Sequence, residues 1–426
     1  MAVGMNISNA NLLMRKYEKA IVECVNLEAD LFGQIPSEMW EGERIEYRIE
    51  TAKMSSLGNT SEGANFPNAN LPILVTAYIG RKFLHAAAQL TDGVMAAARG
   101  GAHSFRSSTE SVVKGLAESV AAYKEGMLFL DGTGIVATIS DVVDGAGETD
   151  AILLTGMDSS RADDTHPIKM VWPKGVYEVR DESNSYALLG YVTVSSVNPL
   201  SASASTASID LESPGLPASV ANGDVLVWKD CYNIAYEGLS NLVDNDVSGT
   251  FQGVDYTTDL TATNYTSMVL SNSNTLRAMT PSLFRQFLQG MREKAGKKAM
   301  QGLRFICHSA QLSKFSDMFE GSIVTNNGSE AVGNGSVTLN TPFGQVKLEP
   351  NDFCPPSTIF AINVNELKFV QQKALGWRPG INGPFNPSQT AAVQTAQMYE
   401  IGQVMVKDRR RLGKILDLDY SLVSGF

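Results

Sequence analysis

With 426 residues, of which 43% are hydrophobic and 19% charged, the chain is globular, is not disordered, and is long enough to divide into two or three subdomains. Its net charge of −11 excludes a surface that is basic throughout, so nucleic-acid contact is confined to local patches. Cys24, Cys231, Cys307 and Cys354 show no CxxC spacing and read as buried, reduced thiols of a cytosolic protein.

The N-terminus carries no signal peptide, and no stretch of about 18 apolar residues occurs, so a soluble chain outside the usual export route is expected. Leu12, Leu13, Tyr17, Ala20, Ile21, Cys24, Val25 and Leu31 recur at helical spacing and predict an amphipathic helix over 8–31, ending near Gly33 and Pro36. Residues 44–50, RIEYRIE, alternate strictly and predict a strand wetted on one side. Its partner is 71–80, and the twenty or so residues between are rich in Gly, Ser and Asn. Two strands alone are marginal in water, so this long hairpin is either a mobile surface hairpin or, the sharper reading, an arm that packs on a neighbouring subunit.

Residues 83–99 are rich in alanine and read as a helix broken near Thr91 and Gly93, with His85 as a core histidine. The chain's organising element follows over 107–127. Ser107 and Glu110 form a capping box, and Val112, Val113, Leu116, Val120, Tyr123 and Met127 make one apolar stripe. Lys114, Glu118, Lys124 and Glu125 fall off that stripe and predict a wet opposite face. The helix stops before the turn Asp131-Gly-Thr-Gly134 and should lie across a sheet.

Ile135 to Ser140 is apolar and β-branched, and 141–150 is an acidic turn. Five short strands are expected at 169–172, 176–180, 187–197, 208–211 and 224–228, a small β-barrel or sandwich inserted over about 168–230. Asp224 there is a turn residue. Thr280-Pro281 starts a helix whose face is Leu283, Phe284, Phe287, Leu288 and Met291. A strand at 303–307, a helix at 309–319, an exposed loop at 320–341 and strands at 343–349, 358–363 and 366–370 come next. The chain closes with a hairpin, 398–407 and 412–422, turning at Asp408-Arg-Arg-Arg411.

The chemistry is sparse. No GxxxxGK[ST], GxSxG, HExxH or EF-hand loop occurs. His308 beside Cys307 does not make a nucleophilic pair, because neighbours on a strand point to opposite faces. Asp244, Asp246 and Glu237 lack the spacing of a cation loop. Arg409, Arg410 and Arg411 form either a DNA-facing patch or a solvated turn. His85, His103, His166 and His308 are too scattered for an active site, so an α+β enzyme is the weaker reading, with no catalytic residue, metal or cofactor to name.

The order of elements resembles the major capsid proteins of tailed bacteriophages, the Hong Kong 97-type fold. Residues 62–83, EGANFPNANLPILVTAYIGRKF, look like the outgoing strand of that family's extended loop, and 123–134, YKEGMLFLDGTG, like the end of its spine helix. Residues 224–256 are similar to the segment after the inserted β module in one branch. The resemblance implies an α+β subunit with an N-terminal arm at 1–40, an extended loop at 41–82, a peripheral domain at 83–134 and 391–426, and an axial domain at 135–390. It implies self-assembly into hexamers and pentamers of an icosahedral shell around double-stranded DNA, without sequence-specific contact, membrane or cofactor. Tyr47, Ile49, Lys53, Phe66, Leu74 and Tyr78 would touch the neighbouring subunit, and Val112, Leu116, Val120 and Tyr123 would pack the spine helix. Partners would be the portal, a separate scaffolding protein, since no long N-terminal extension is present, and a decoration protein. The subunit would assemble in the host cytoplasm and reside in the virion. Lys53 is the one candidate crosslink donor, with no acceptor identified. An encapsulin-like compartment shell shares the fold and is the alternative, which the inserted β module argues against.

Overall fold

The computed structural model describes residues 30–91, 102–143, 151–155, 167–198, 207–320, 338–378, 385–387 and 393–420, with short gaps at 55, 63–64, 66–67, 69–70, 213–214, 218 and 259. Most of the helix expected at 8–31 and of the loop at 320–341 lies outside these residues. The chain enters through Leu31, Phe32 and Ile35, all buried, and a 3-10 turn at Phe32–Gln34. Strand β1 (Ser37–Met39) is followed by β2 (Arg44–Ala52) and β3 (Ile73–Gly80), the antiparallel hairpin that alternation predicted, in register from Arg44↔Gly80 to Ala52↔Ile73.

After one intervening residue comes β4 (Lys82–Thr91), where a helix was expected. Alanine is the best helix former, but propensity amounts to less than about 1 kcal/mol per residue, and tertiary pairing overrides it here. Leu84, Ala86 and Ala88 alternate inward while Phe83, His85 and Ala87 face out, so the segment has period two. His85 is therefore an exposed residue stacked between Phe83 and Tyr399, not a core histidine.

Helix α1 (Ala102–Phe129) is longer than its stripe suggested, and Ser107 lies within it rather than at its cap. Val120 is buried in the main core with Ala117 and Ala121, and Val112, Leu116 and Tyr123 pack partly buried against that core. The wet face ends early. Lys114 and Glu118 are exposed, but Lys124 and Glu125 are buried, because the last turns of α1 run between the main core and a second one.

The helix ends against residues 236–243. Ser240 Oγ donates to the Phe129 carbonyl at 2.7 Å, and a Cβ on Gly238 would stand 2.1 Å from the Leu130 carbonyl oxygen. Asp131 Oδ1 accepts from Thr133 N and Oγ1, closing the turn between Gly132 and Gly134, both in the left-handed region.

Strands β5 (Ile135–Val143), β6 (Ala151–Thr155), β7 (Val176–Asp181), β8 (Ala187–Asn198), β9 (Ala207–Leu211) and β10 (Val225–Trp228) form a closed barrel in the order β10-β5-β6-β9-β8-β7. The inserted β module thus begins at Ile135 rather than near 168. Residues Pro167–Met170 form a helical turn where a strand was expected, and Tyr177 Oη donates to the Met170 carbonyl to hold it. A short hairpin follows, β11 (Thr250–Phe251) and β12 (Val254–Asp255), and then β13 (Met268–Leu270).

Helix α2 (Pro281–Ala295) starts as predicted: Thr280 Oγ1 accepts from Leu283 N, and Leu283, Phe284, Phe287, Leu288 and Met291 are all buried. Strand β14 (Arg304–Cys307), helix α3 (Ser309–Glu320) and strands β15 (Thr338–Thr341), β16 (Gly344–Pro350) and β17 (Ile359–Ile362) follow. Phe284 and Phe287 meet Phe305 edge-on, and Phe284 meets Phe315, which seats α2 and α3 on this sheet.

The chain ends with β18 (Leu367–Trp377), β19 (Phe385–Pro387), β20 (Val393–Val406) and β21 (Gly413–Ile415). The closing hairpin does not form. β20 pairs with β18, β19 and β4, whereas β21 pairs with β13 and β17. Two sheets result, β1-β18-β20-β19 with β4 on the far side of β20, and β13-β21-β17-β14-β16-β15. Strand pairing crosses the expected boundary at residues 390/391: β18 shares a sheet with β4 and β20, and β21 belongs to the other sheet.

Candidate assembly interface

The β2–β3 hairpin has two unlike faces. Inward, Ile49, Thr51, Ala77 and Ile79 are buried, with Ile45, Tyr47 and Val75 half-buried. Outward, Arg44, Glu46, Arg48 and Glu50 alternate on β2, and Leu74, Thr76 and Tyr78 stand exposed on β3. Arg44 pairs with Glu46 at 2.6 Å and its guanidinium sits over the Tyr78 ring. Toward the tip, Leu57 is 87% and Leu71 77% exposed, with Met54 and Ile73 about half exposed. Large apolar side chains placed this way leave the subunit with surface that water does not favour.

Of the contact residues expected from the sequence, Leu74, Tyr78 and Lys53 are exposed, and Phe66 lies outside the described residues. Tyr47 and Ile49 face their own subunit: Ile49 joins the main core, and Tyr47 Oη donates to Gln252 Oε1 at 2.6 Å. Burial lifts the Tyr47 phenol well above its ordinary range, which keeps it a neutral donor. Met54, Leu57, Leu71 and Ile73 went unnamed, although they are the apolar residues flanking the polar tip.

The triple arginine is not simply a solvated turn, because its first member is buried and the other two are held in ion pairs. Arg409 is 2% exposed, its guanidinium 4.0 Å from the centre of the Phe251 ring. Its Nε donates to the Leu242 carbonyl, Nη1 to Tyr256 Oη and Nη2 to the Asn241 carbonyl. Arg410 pairs with Asp408, and Arg411 with Glu366 and Asp408. The chain is compact enough here that a 3-10 turn at Arg409–Arg411 points its first side chain inward.

The other candidates stay apart. Asp244 Oδ1 lies 3.4 Å from Lys414, Asp246 accepts from Ser248, and Glu237 accepts from Gln252, so the three carboxylates do not converge. Among the described residues no group of His, Cys, Asp and Glu side chains is placed to hold a metal ion. Burial pushes the Cys307 thiol up to about 12 and lowers the His308 imidazole, whose Nδ1 accepts from Ala310 N. A thiol held neutral in the core is no nucleophile. Among the described residues no helix is long and apolar enough to cross a membrane.

Residues 234–418 match the SU10 major capsid protein family. No curated protein matches the chain by sequence. Among solved structures, the capsid chain of cyanophage A-1(L) is similar with a TM-score of 0.52 at 10% identity, over 92% of this chain and 93% of that one. A chain of Mycobacterium phage Patience is similar with a TM-score of 0.43 at 11% identity, over 97% and 90%. A chain from the capsid of a native GTA particle gives 0.44 at 9% identity, over 92% and 91%. The mixed α+β fold is that of the cyanophage capsid chain along more than nine-tenths of its length, and the matched family is one of structural proteins.

Proposed function

We infer that the chain is a major capsid protein of a tailed bacteriophage, a structural subunit of the virion shell and not an enzyme, as the match to the SU10 major capsid protein over residues 234–418 and the shared capsid fold support. The observation that carries the mechanism is the hairpin, which buries one face at home and presents Leu57, Leu71, Leu74 and Tyr78 outward. Association covers that apolar surface, and repetition around a closed shell turns individually weak contacts into a stable assembly.

In this reading α1 with β1, β4, β18, β19 and β20 is the peripheral unit. The six-stranded sheet with α2 and α3 is the axial unit, and the barrel is its inserted module. Copies associate as hexamers and pentamers of an icosahedral shell holding double-stranded DNA, assembled in the host cytoplasm. The acidic balance suits a container that does not grip its cargo. A portal, a separate scaffolding protein and a decoration protein on the barrel are the further partners of this reading.

The test is electron microscopy with size-exclusion chromatography of the purified chain, alone and coexpressed with its neighbouring genes. Closed shells, rings of five or six, or curved sheets are the expected result, and their contents distinguish a virion from a compartment. A strictly monomeric species under both conditions would refute the shell role.

A further inference from the structure

We propose that Gln252 is a positioning residue, a clamp by which the subunit fixes the direction of its own extended hairpin before any neighbour arrives. Its place in the sequence is unusual. Gln252 and Gly253 form the turn between β11 and β12, and both have positive φ, +45° and +78°. Glycine adopts that conformation freely and asparagine often, whereas a longer side chain is held there only when its surroundings demand it.

The demand is visible in the contacts of the glutamine amide. Oε1 accepts from Tyr47 Oη on β2 at 2.6 Å, and Nε2 donates to Glu237 Oε2 at 2.9 Å and to the Val404 carbonyl on β20 at 3.2 Å. The Gln252 carbonyl accepts from Tyr78 N on β3 at 2.8 Å. One residue thus ties both strands of the hairpin to β20. Gly253 completes the grip, because a Cβ there would stand 2.2 Å from the Tyr78 ring.

Asparagine suits the turn at least as well, but its amide is one methylene short of spanning Tyr47 and β20. The clamp accounts for the choice of glutamine, and its purpose is preorganisation. A hairpin pointing in one direction loses less conformational freedom when it docks than one that swings. That assembly role rests on the shell reading above, whereas the clamp itself is a property of the single subunit.

Amide hydrogen exchange of the unassembled subunit, wild type against Gln252→Asn and Tyr47→Phe, tests the clamp. Loss of these hydrogen bonds should speed exchange on β2 and β3 about tenfold while the barrel and the six-stranded sheet stay unchanged. Unchanged exchange on β2 and β3 in Gln252→Asn would overturn it. In parallel, both variants should form shells about tenfold more slowly than wild type. Faster exchange with wild-type assembly kinetics would overturn the preorganising role and leave the shell reading intact. Failure of the wild type itself to assemble would count against the shell reading, with faster exchange in the variants still supporting the clamp.

Discussion

Lys124 Nζ lies 2.7 Å from a carboxylate oxygen of Glu400, and both side chains are almost wholly buried. The pair joins the last turns of α1 to the middle of β20, with Tyr236 Oη donating to the same carboxylate and Lys124 lying over the rings of Phe32 and Phe369. A buried charge without its partner is far more costly than the pair itself. Lys124→Met should therefore destabilise the subunit by about 3 to 5 kcal/mol, and adding Glu400→Gln should recover much of that loss. Denaturant unfolding of the two single variants and the double variant reads the coupling, and strictly additive effects would contradict it.

Arg409 and Arg410 are neighbours with different roles. Arg409→Lys keeps the charge but not the fork that reaches Leu242, Asn241 and Tyr256, so a loss of about 2 kcal/mol is expected. Arg410→Ala removes a partly exposed ion pair and should cost no more than about 1 kcal/mol. Thermal unfolding of the two variants tests the order.

On the hairpin, the double variant Leu57→Asp, Leu71→Asp touches side chains that the isolated subunit leaves in water. Its folding stability should stay within about 0.5 kcal/mol per site of wild type, while shell yield collapses. Deleting residues 55–70 should act the same way. Normal shells of unchanged thermal stability from either variant would remove the hairpin from the interface.

Val120→Asp places an unpaired carboxylate in the main core beside Ala117 and Ala121. The expected outcome is an unfolded or insoluble chain, a loss above about 4 kcal/mol. Circular dichroism and solubility measure it, and a well-folded variant would contradict the packing of α1 described above.

Glu125 supplies a pH dependence. Its Oε1 accepts from Leu31 N and Asn351 Nδ2, and its Oε2 from Phe32 N, binding the entering chain to α1. Burial raises the carboxyl above its ordinary 4.5, and these three donors oppose the rise. The folded chain therefore keeps the proton to higher pH than the unfolded chain. The resulting stability is full below about 4.5 and is lost as pH rises through the folded value. The thermal midpoint of wild type minus that of Glu125→Gln should fall between pH 4.5 and neutrality. A difference that grows over that window would reverse the assignment.

Much of the fold was legible wherever a segment is governed by its own residues. The alternation at 44–50 gave β2, the Thr280-Pro281 cap gave α2, and the Asp131-Gly-Thr-Gly134 turn gave the end of α1. The outward residues of the hairpin were legible in part, Leu74 and Tyr78 among them. Local propensity failed at β4, whose alanines prefer helix but are held as a strand by ten residues of pairing with β20.

The sequence by itself determined the periodicities and turns of an α+β chain with a long two-faced hairpin, and the order of its elements carried the resemblance to a shell subunit. Only the tertiary structure decided that β20 and β21 part into different sheets and that the barrel recruits β5 and β6. It alone decided that Lys124, Glu125 and Arg409 turn inward and that Tyr47 is held by Gln252 of its own chain. The physical reason is common to all of these. Strand pairing and the burial of a charge depend on partners outside the segment itself, 276 residues away for Lys124 with Glu400 and 205 for Tyr47 with Gln252, and no local pattern encodes them.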